Sequence, residues 1–136
     1  MDKLPPLRVL LVDSSELVLR DLTDLITKNF NPVEIKTTGD GEYAINIFCE
    51  FTPQVVITEI LLTKMNGWDI CLGFRMIEKQ RKTPPSLIIS LSSIGFELNQ
   101  DQSPKVGIDY CYEKPLDRAL KRVLLDLLTK NFREYS

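Results

Sequence analysis

Four stretches of the chain place a chemically useful side chain directly after an apolar run. Asp13-Ser14 follows Leu7 to Val12, Glu59 ends Val55-Val56-Ile57-Thr58, Ser92-Ser93 follows Leu87 to Leu91, and Lys114-Pro115 follows Tyr110-Cys111-Tyr112. In an open α/β sheet, the carboxyl ends of the strands form the crevice where ligands bind. Two carboxylates, hydroxyls and an amine gathered there would support ion-pair, hydrogen-bond and carboxylate chemistry. Each position also has an ordinary explanation. Asp13 and Ser14 suit a helix cap, Ser92 a loop hydroxyl, and Lys114-Pro115 a solvated lysine with proline opening a helix. Glu59 is the hardest to explain away, because a carboxylate at the end of a buried run needs partners or water. Four such positions at successive run ends say more than any one alone.

The elements between them alternate strand and helix. Leu7 to Val12 reads as a central parallel strand, followed by a helix capped by Ser14 or Ser15 with a stripe of Leu17, Val18, Leu22, Leu25 and Ile26. Val33 to Thr38 alternates as an edge strand does, Gly39-Asp40-Gly41 turns, and Tyr43, Ala44, Ile47 and Phe48 carry a second helix to Thr52-Pro53. Val55 to Ile57 is a third strand, Trp68 to Gln80 a third helix and Leu87 to Leu91 a fourth strand. Residues Phe96 to Val106 are the weakest helix candidate, with Pro104 placed to break one. Tyr110-Cys111-Tyr112 is a short fifth strand. A final helix runs from about Asp117 to Asn131, with Leu120, Val123, Leu124, Leu127 and Leu128 on one face. The pattern implies one α/β domain over residues 1–136 with a doubly wound parallel sheet and helices on both faces.

Composition narrows the function. The 136 residues carry a net charge of −2, with 43% hydrophobic and 26% charged residues, which is ordinary for a folded domain and unlike a nucleic-acid-binding surface. The basic residues Arg75, Lys79, Arg81 and Lys82, with Glu78 among them, read as a solvated helix end. Three widely spaced cysteines, Cys49, Cys71 and Cys111, suit buried thiols in a reducing compartment. No apolar run reaches membrane-spanning length and the N-terminus lacks a signal-peptide core, so the expectation is a cytoplasmic protein with neither membrane nor nucleic-acid partner. The chain has no histidine, which removes Ser-His-Asp, Cys-His and HExxH chemistry. A small α/β enzyme using the carboxylate crevice finds little support without histidine or a glycine-rich phosphate loop.

The motifs Val-Leu-Leu-Val-Asp-Ser at 9–14, Glu-Ile-Leu-Leu-Thr-Lys-Met-Asn-Gly at 59–67, Leu-Ser-Ser at 91–93 and Lys-Pro at 114–115 resemble those of the response-regulator receiver domain. The resemblance covers about residues 7–130. It implies a flavodoxin-like five-stranded sheet of order 2-1-3-4-5 and a role in two-component or phosphorelay signal transduction. It also implies residue roles, and here the chain departs from the pattern. Asp13 matches the first of two acids, but Ser14 stands where the second, a metal ligand, belongs. Glu59 stands at the phosphoacceptor aspartate, and Thr63 where proline is common. Ser92 matches the hydroxyl that approaches the phosphoryl group, Lys114 the lysine that pairs with it, and Cys111 the aromatic switch position.

Those departures imply a degenerate receiver. Mg²⁺ takes octahedral oxygen ligands, and with Asp13 and Glu59 alone its binding is expected to be weak or absent, leaving no required cofactor. Phosphoryl transfer depends on alignment, and the extra methylene of Glu59 carries its carboxylate too far forward. Glu59 is then expected to act as a partial mimic of phospho-aspartate, paired with Lys114 and hydrogen-bonded to Ser92. The alternative is a working response regulator that still binds Mg²⁺ and accepts phosphate in this pocket. The expected partners are a histidine kinase or an output protein, or a second copy through the Phe96–Asn131 face, with Phe96, Tyr110 and Tyr112 as candidate contacts; core burial is the competing reading of the two tyrosines. No catalytic role is expected. Residues 131–136 are too short for an output domain, leaving a stand-alone receiver or a fragment of a longer protein.

Overall fold

In the computed structural model, which describes residues 3–60, 67–93 and 106–136, the apolar runs become a parallel sheet. Its strands are β1 (Leu7–Val12), β2 (Val33–Thr38), β3 (Val55–Glu59), β4 (Leu87–Ser92) and β5 (Tyr110–Glu113), in the order β2-β1-β3-β4-β5. The described helices are α1 (Glu16–Asn29), α2 (Gly41–Phe51), α3 (Gly67–Arg81) and α4 (Arg118–Asn131), followed by a 3-10 turn at Arg133–Tyr135. The order explains the sequence. Central β3 is buried at every position, whereas edge strand β2 alternates with solvent.

Alternation along each strand builds two cores. Val9, Leu11, Val55, Ile57, Ile89 and Leu91 face α1 and α4, while Leu10, Val12, Val56 and Ile88 face α2 and α3. On α4 the buried row is Leu120, Leu124 and Leu128, and the Asp117 carboxylate caps the first turn by accepting from Leu120 N–H at 2.9 Å. Burying each leucine contributes about 1.5–3 kcal/mol, against about 1 kcal/mol for a cap. Packing therefore holds this helix, and the cap decides where it starts.

Several expectations need correction. Leu17, Tyr43 and Val123 were expected on buried stripes but are 65%, 58% and 41% exposed. Each precedes by one residue the i, i+4 row that meets the sheet: Val18 and Leu22, Ala44 and Phe48, Leu120 and Leu124. Tyr112 packs on the α1/α4 core, but Tyr110, stacked on it at 6.5 Å, is 41% exposed. Arg75 is not part of a solvated helix end. Its guanidinium donates to Gly107 O (2.8 Å), Ser86 O (2.9 Å), Glu78 (2.7 Å) and Asp109 (3.0 Å), tying α3 to the loop before β4 and to the turn before β5. Of the cysteines, only Cys71 is fully buried, and burial pushes its thiol up to about 12. The expected weak helix after Phe96 and the turn through Thr63 and Met65 lie outside the described residues.

Candidate functional site

Main-chain pairing continues past the strand ends and so fixes the crevice. Asp13 N–H donates to Thr38 O (3.0 Å), Ile60 N–H to Leu91 O (3.1 Å) and Lys114 N–H to Ser92 O (2.7 Å). Below them, Glu59 lies opposite Leu91 and Ser92 opposite Glu113 in the parallel register. Gly67 closes the loop after Glu59, donating to Ile60 O at 2.8 Å. A Cβ there would lie 2.7 Å from Ile60 Cα and 2.8 Å from Glu59 O, too close for any residue but glycine. The glycine of the 59–67 motif is therefore needed for the main chain to return against the strand that carries Glu59.

The crevice brings Asp13, Ser14, Glu59 and Lys114 together. The Lys114 ammonium lies 3.0 Å from Asp13 Oδ2 and 3.2 Å from both Asp13 Oδ1 and Glu59 Oε1. Glu59 Oε2 accepts from Ser14 twice, from its N–H at 3.0 Å and its hydroxyl at 2.8 Å. Both oxygens of Glu59 are thus engaged by donors. Asp13 Oδ1 also accepts from Ser15 N–H at 2.9 Å, while the Ser15 hydroxyl caps α1 by accepting from Val18 N–H. Asp13 Oδ2 is close enough to Lys114 for an ion pair, but no described donor is aligned on it for a hydrogen bond.

Burial is the main influence on Asp13 and raises its carboxyl above the usual 3.8, with the Ser15 N–H and Lys114 pulling the other way. Ser92 is fully buried, but its hydroxyl makes no hydrogen bond among the described residues. The expected bond from Ser92 to Glu59 is therefore replaced by the pair from Ser14. Sequence reading took Ser14 as a helix cap or as a lost ligand and missed its role as donor to Glu59; the cap is Ser15. The signal available was that both acids of one pocket are altered together. Cys111 lies on β5, half-buried against the α2/α3 core.

Comparison with known proteins decides the family, because the profile of the response regulator receiver domain matches residues 9–130. The chain belongs to that family. A probable transcriptional regulator of Porphyra purpurea is 27% identical over 131 residues, covering 91% of this chain and 51% of the relative. The response regulator PleD of Caulobacter vibrioides is 24% identical, covering 90% of this chain and 26% of the relative. The chain thus spans about half or less of the curated relatives it matches. Among solved structures, a putative response regulator from Chloroflexus aurantiacus superposes with a TM-score of 0.75 at 20% identity, covering 93% of this chain and 97% of that one. The receiver domain of Saccharomyces cerevisiae Ssk1, crystallized with the histidine phosphotransfer protein Ypd1, gives 0.74 at 20% identity over 98% of this chain and 91% of that one. Both share the receiver fold. Among the described residues, no helix is long and apolar enough to cross a membrane.

The family implies a Mg²⁺ ion in this crevice, and the donor set does not suit one. Mg²⁺ demands near-octahedral oxygens at about 2.0–2.1 Å. The two carboxylates present share the Lys114 ammonium, and the second oxygen of Glu59 is held by Ser14. Among the described residues, no three acidic, histidine or cysteine side chains cluster as ligands.

Proposed function

We propose that this receiver works as a protein-interaction module in two-component signalling without a phosphorylation cycle of its own. The observation that carries the reading is the double engagement of Glu59, by Lys114 on one oxygen and Ser14 on the other. A phosphoacceptor needs a carboxylate oxygen free to attack. Hydrogen bonds to charged groups contribute about 1.5–3 kcal/mol each, so releasing one oxygen would slow attack by roughly one to two orders of magnitude. The longer side chain adds misalignment to that barrier. Glu59 supplies one negative charge where a phosphoryl group would supply about −1.5 to −2. It is a partial mimic, sufficient to bind Lys114 and hold the pocket in one arrangement.

The partner classes this supports are a histidine kinase, a histidine phosphotransfer protein of the kind crystallized with Ssk1, or an output protein. The chain itself would not be a catalyst. Incubation with a small acyl phosphate, read by intact mass, tests the proposal. The wild-type protein should gain no phosphoryl group, and the Ser14→Asp/Glu59→Asp double variant should gain one. Uptake at Glu59 by the wild-type protein would refute it.

A further inference from the structure

We infer that the outer edge of β2 is an interface for a second copy of this chain, which pairs with it antiparallel about a two-fold axis at Ile35. β2 bonds to β1 alone, so one of its sides is open. The main chain shows which groups lie there. Leu7 N–H donates to Pro32 O and Asp13 N–H to Thr38 O, and the register between them is unbroken. Pro32, Glu34, Lys36 and Thr38 therefore turn their main-chain groups toward β1, and Val33, Ile35 and Thr37 turn theirs away. Among the described residues, the N–H and C=O groups of these three have no partner. Such a row of unpaired groups is a template for another strand.

Charge selects the occupant and the register. With the axis at Ile35, that residue exchanges both main-chain bonds with its counterpart, and Val33 does so with Thr37 of the second copy. The residues between them become close, non-hydrogen-bonded pairs, and there Glu34 meets Lys36 of the second copy, twice over. Sliding the pair by one step either way sets Glu34 against Glu34 or Lys36 against Lys36, which is unfavourable. Glu34 and Lys36 are exposed, in register with Arg8 and Leu10 and so on the α2 side of the sheet. A lysine on an edge ordinarily repels added strands, but here Glu34 on the same face answers it. The Lys36 ammonium lies 4.9 Å over the Phe51 ring, and a cation–π contact at an exposed site is comparable in strength to an exposed ion pair. The contact therefore does not bar the lysine from turning to Glu34. One strand pair is smaller than a standard interface, so the dimer forms at high concentration and exchanges. Glu59 has no part in it, and the interface stands apart from the phosphorylation reading.

The test is sedimentation velocity from about 10 μM to about 1 mM on the wild-type protein, Glu34→Lys, Lys36→Glu and the Glu34→Lys/Lys36→Glu double variant. The wild-type protein should associate reversibly. Each single variant sets like charges opposite each other twice and should weaken association by at least about tenfold. The double variant restores both opposite-charge pairs and should recover it. Amide hydrogen exchange in dilute and concentrated wild-type protein reads the main chain directly. The amides of Val33, Ile35 and Thr37 should gain protection with concentration, while that of Lys36, which faces β1, should not. A monomer over the whole range would overturn the inference. So would association that both single reversals leave intact, as contact through another face would be, or association with no added protection at Val33, Ile35 and Thr37.

Discussion

Glu59 and Ser14 form one unit, although they lie on different strand ends. The hydroxyl of Ser14 donates to Glu59 Oε2 at 2.8 Å, and an aspartate at position 14 would set one carboxylate against another. Ser14→Ala keeps the N–H bond and loses the hydroxyl bond, so it should lower stability by about 1 kcal/mol, read from the urea midpoint. Asp13 carries the pH dependence. Its folded pKa is raised above 3.8, so its stabilising contribution is complete below that value and is lost as pH rises through the folded pKa. Asp13→Asn should therefore raise the urea midpoint at pH 7 relative to wild type, with the gain shrinking as pH falls toward 3.8. A larger gain at low pH than at neutrality would reverse the sign and show that Lys114 outweighs burial. The candidate residues themselves were legible, because each follows an apolar run. Their pairing was not, since which donor reaches Glu59 depends on side-chain reach between segments 45 residues apart.

At the scale of elements, the pattern of apolar residues gave the strands and helices but not the polar ties between them. Arg75 lies in a run of charges that reads as solvent-facing, and its partners come from Glu78, Ser86, Gly107 and Asp109. Glu78 lies one turn along α3, but the other partners lie in the loop before β4 and the turn into β5, which no local pattern connects to α3. Gly107, at φ 82°, gives the turn a conformation that other residues rarely adopt, and a Cβ there would lie 2.6 Å from the Arg75 side chain. Arg75→Met should cost about 3–5 kcal/mol, because it leaves the buried Glu78 carboxylate without its cation. Adding Glu78→Gln should return a good part of that loss. Chemical denaturation of the single and double variants decides it: equal losses in both would mean that the packing of the arginine stem, not the stranded charge, sets the penalty.

For the whole molecule, the end of the chain returns to the start of the sheet. After α4, Phe132 and Tyr135 pack on the α1/α4 core with Phe30, and Tyr135 O accepts from Asn31 N–H at 2.8 Å. The next residue, Pro32, accepts from Leu7 N–H through its carbonyl, at the point where β1 and β2 begin to pair. Sequence reading gave these last residues no structural part, because three residues beyond a helix end carry no period to read. Yet Tyr135 is only 5% exposed. β2 is an edge strand paired with β1 alone, so this return of the chain supports one edge of the sheet, at the end where that pairing begins. Tyr135→Ala should lower global stability by roughly 3 kcal/mol, as for a large buried aromatic. Hydrogen exchange should reveal more than the midpoint does. Amides of β2 should lose protection beyond the global loss, while those of β3 and β4 should follow global unfolding alone. Uniform loss across all strands would mean that the residue acts through the common core and not through the edge.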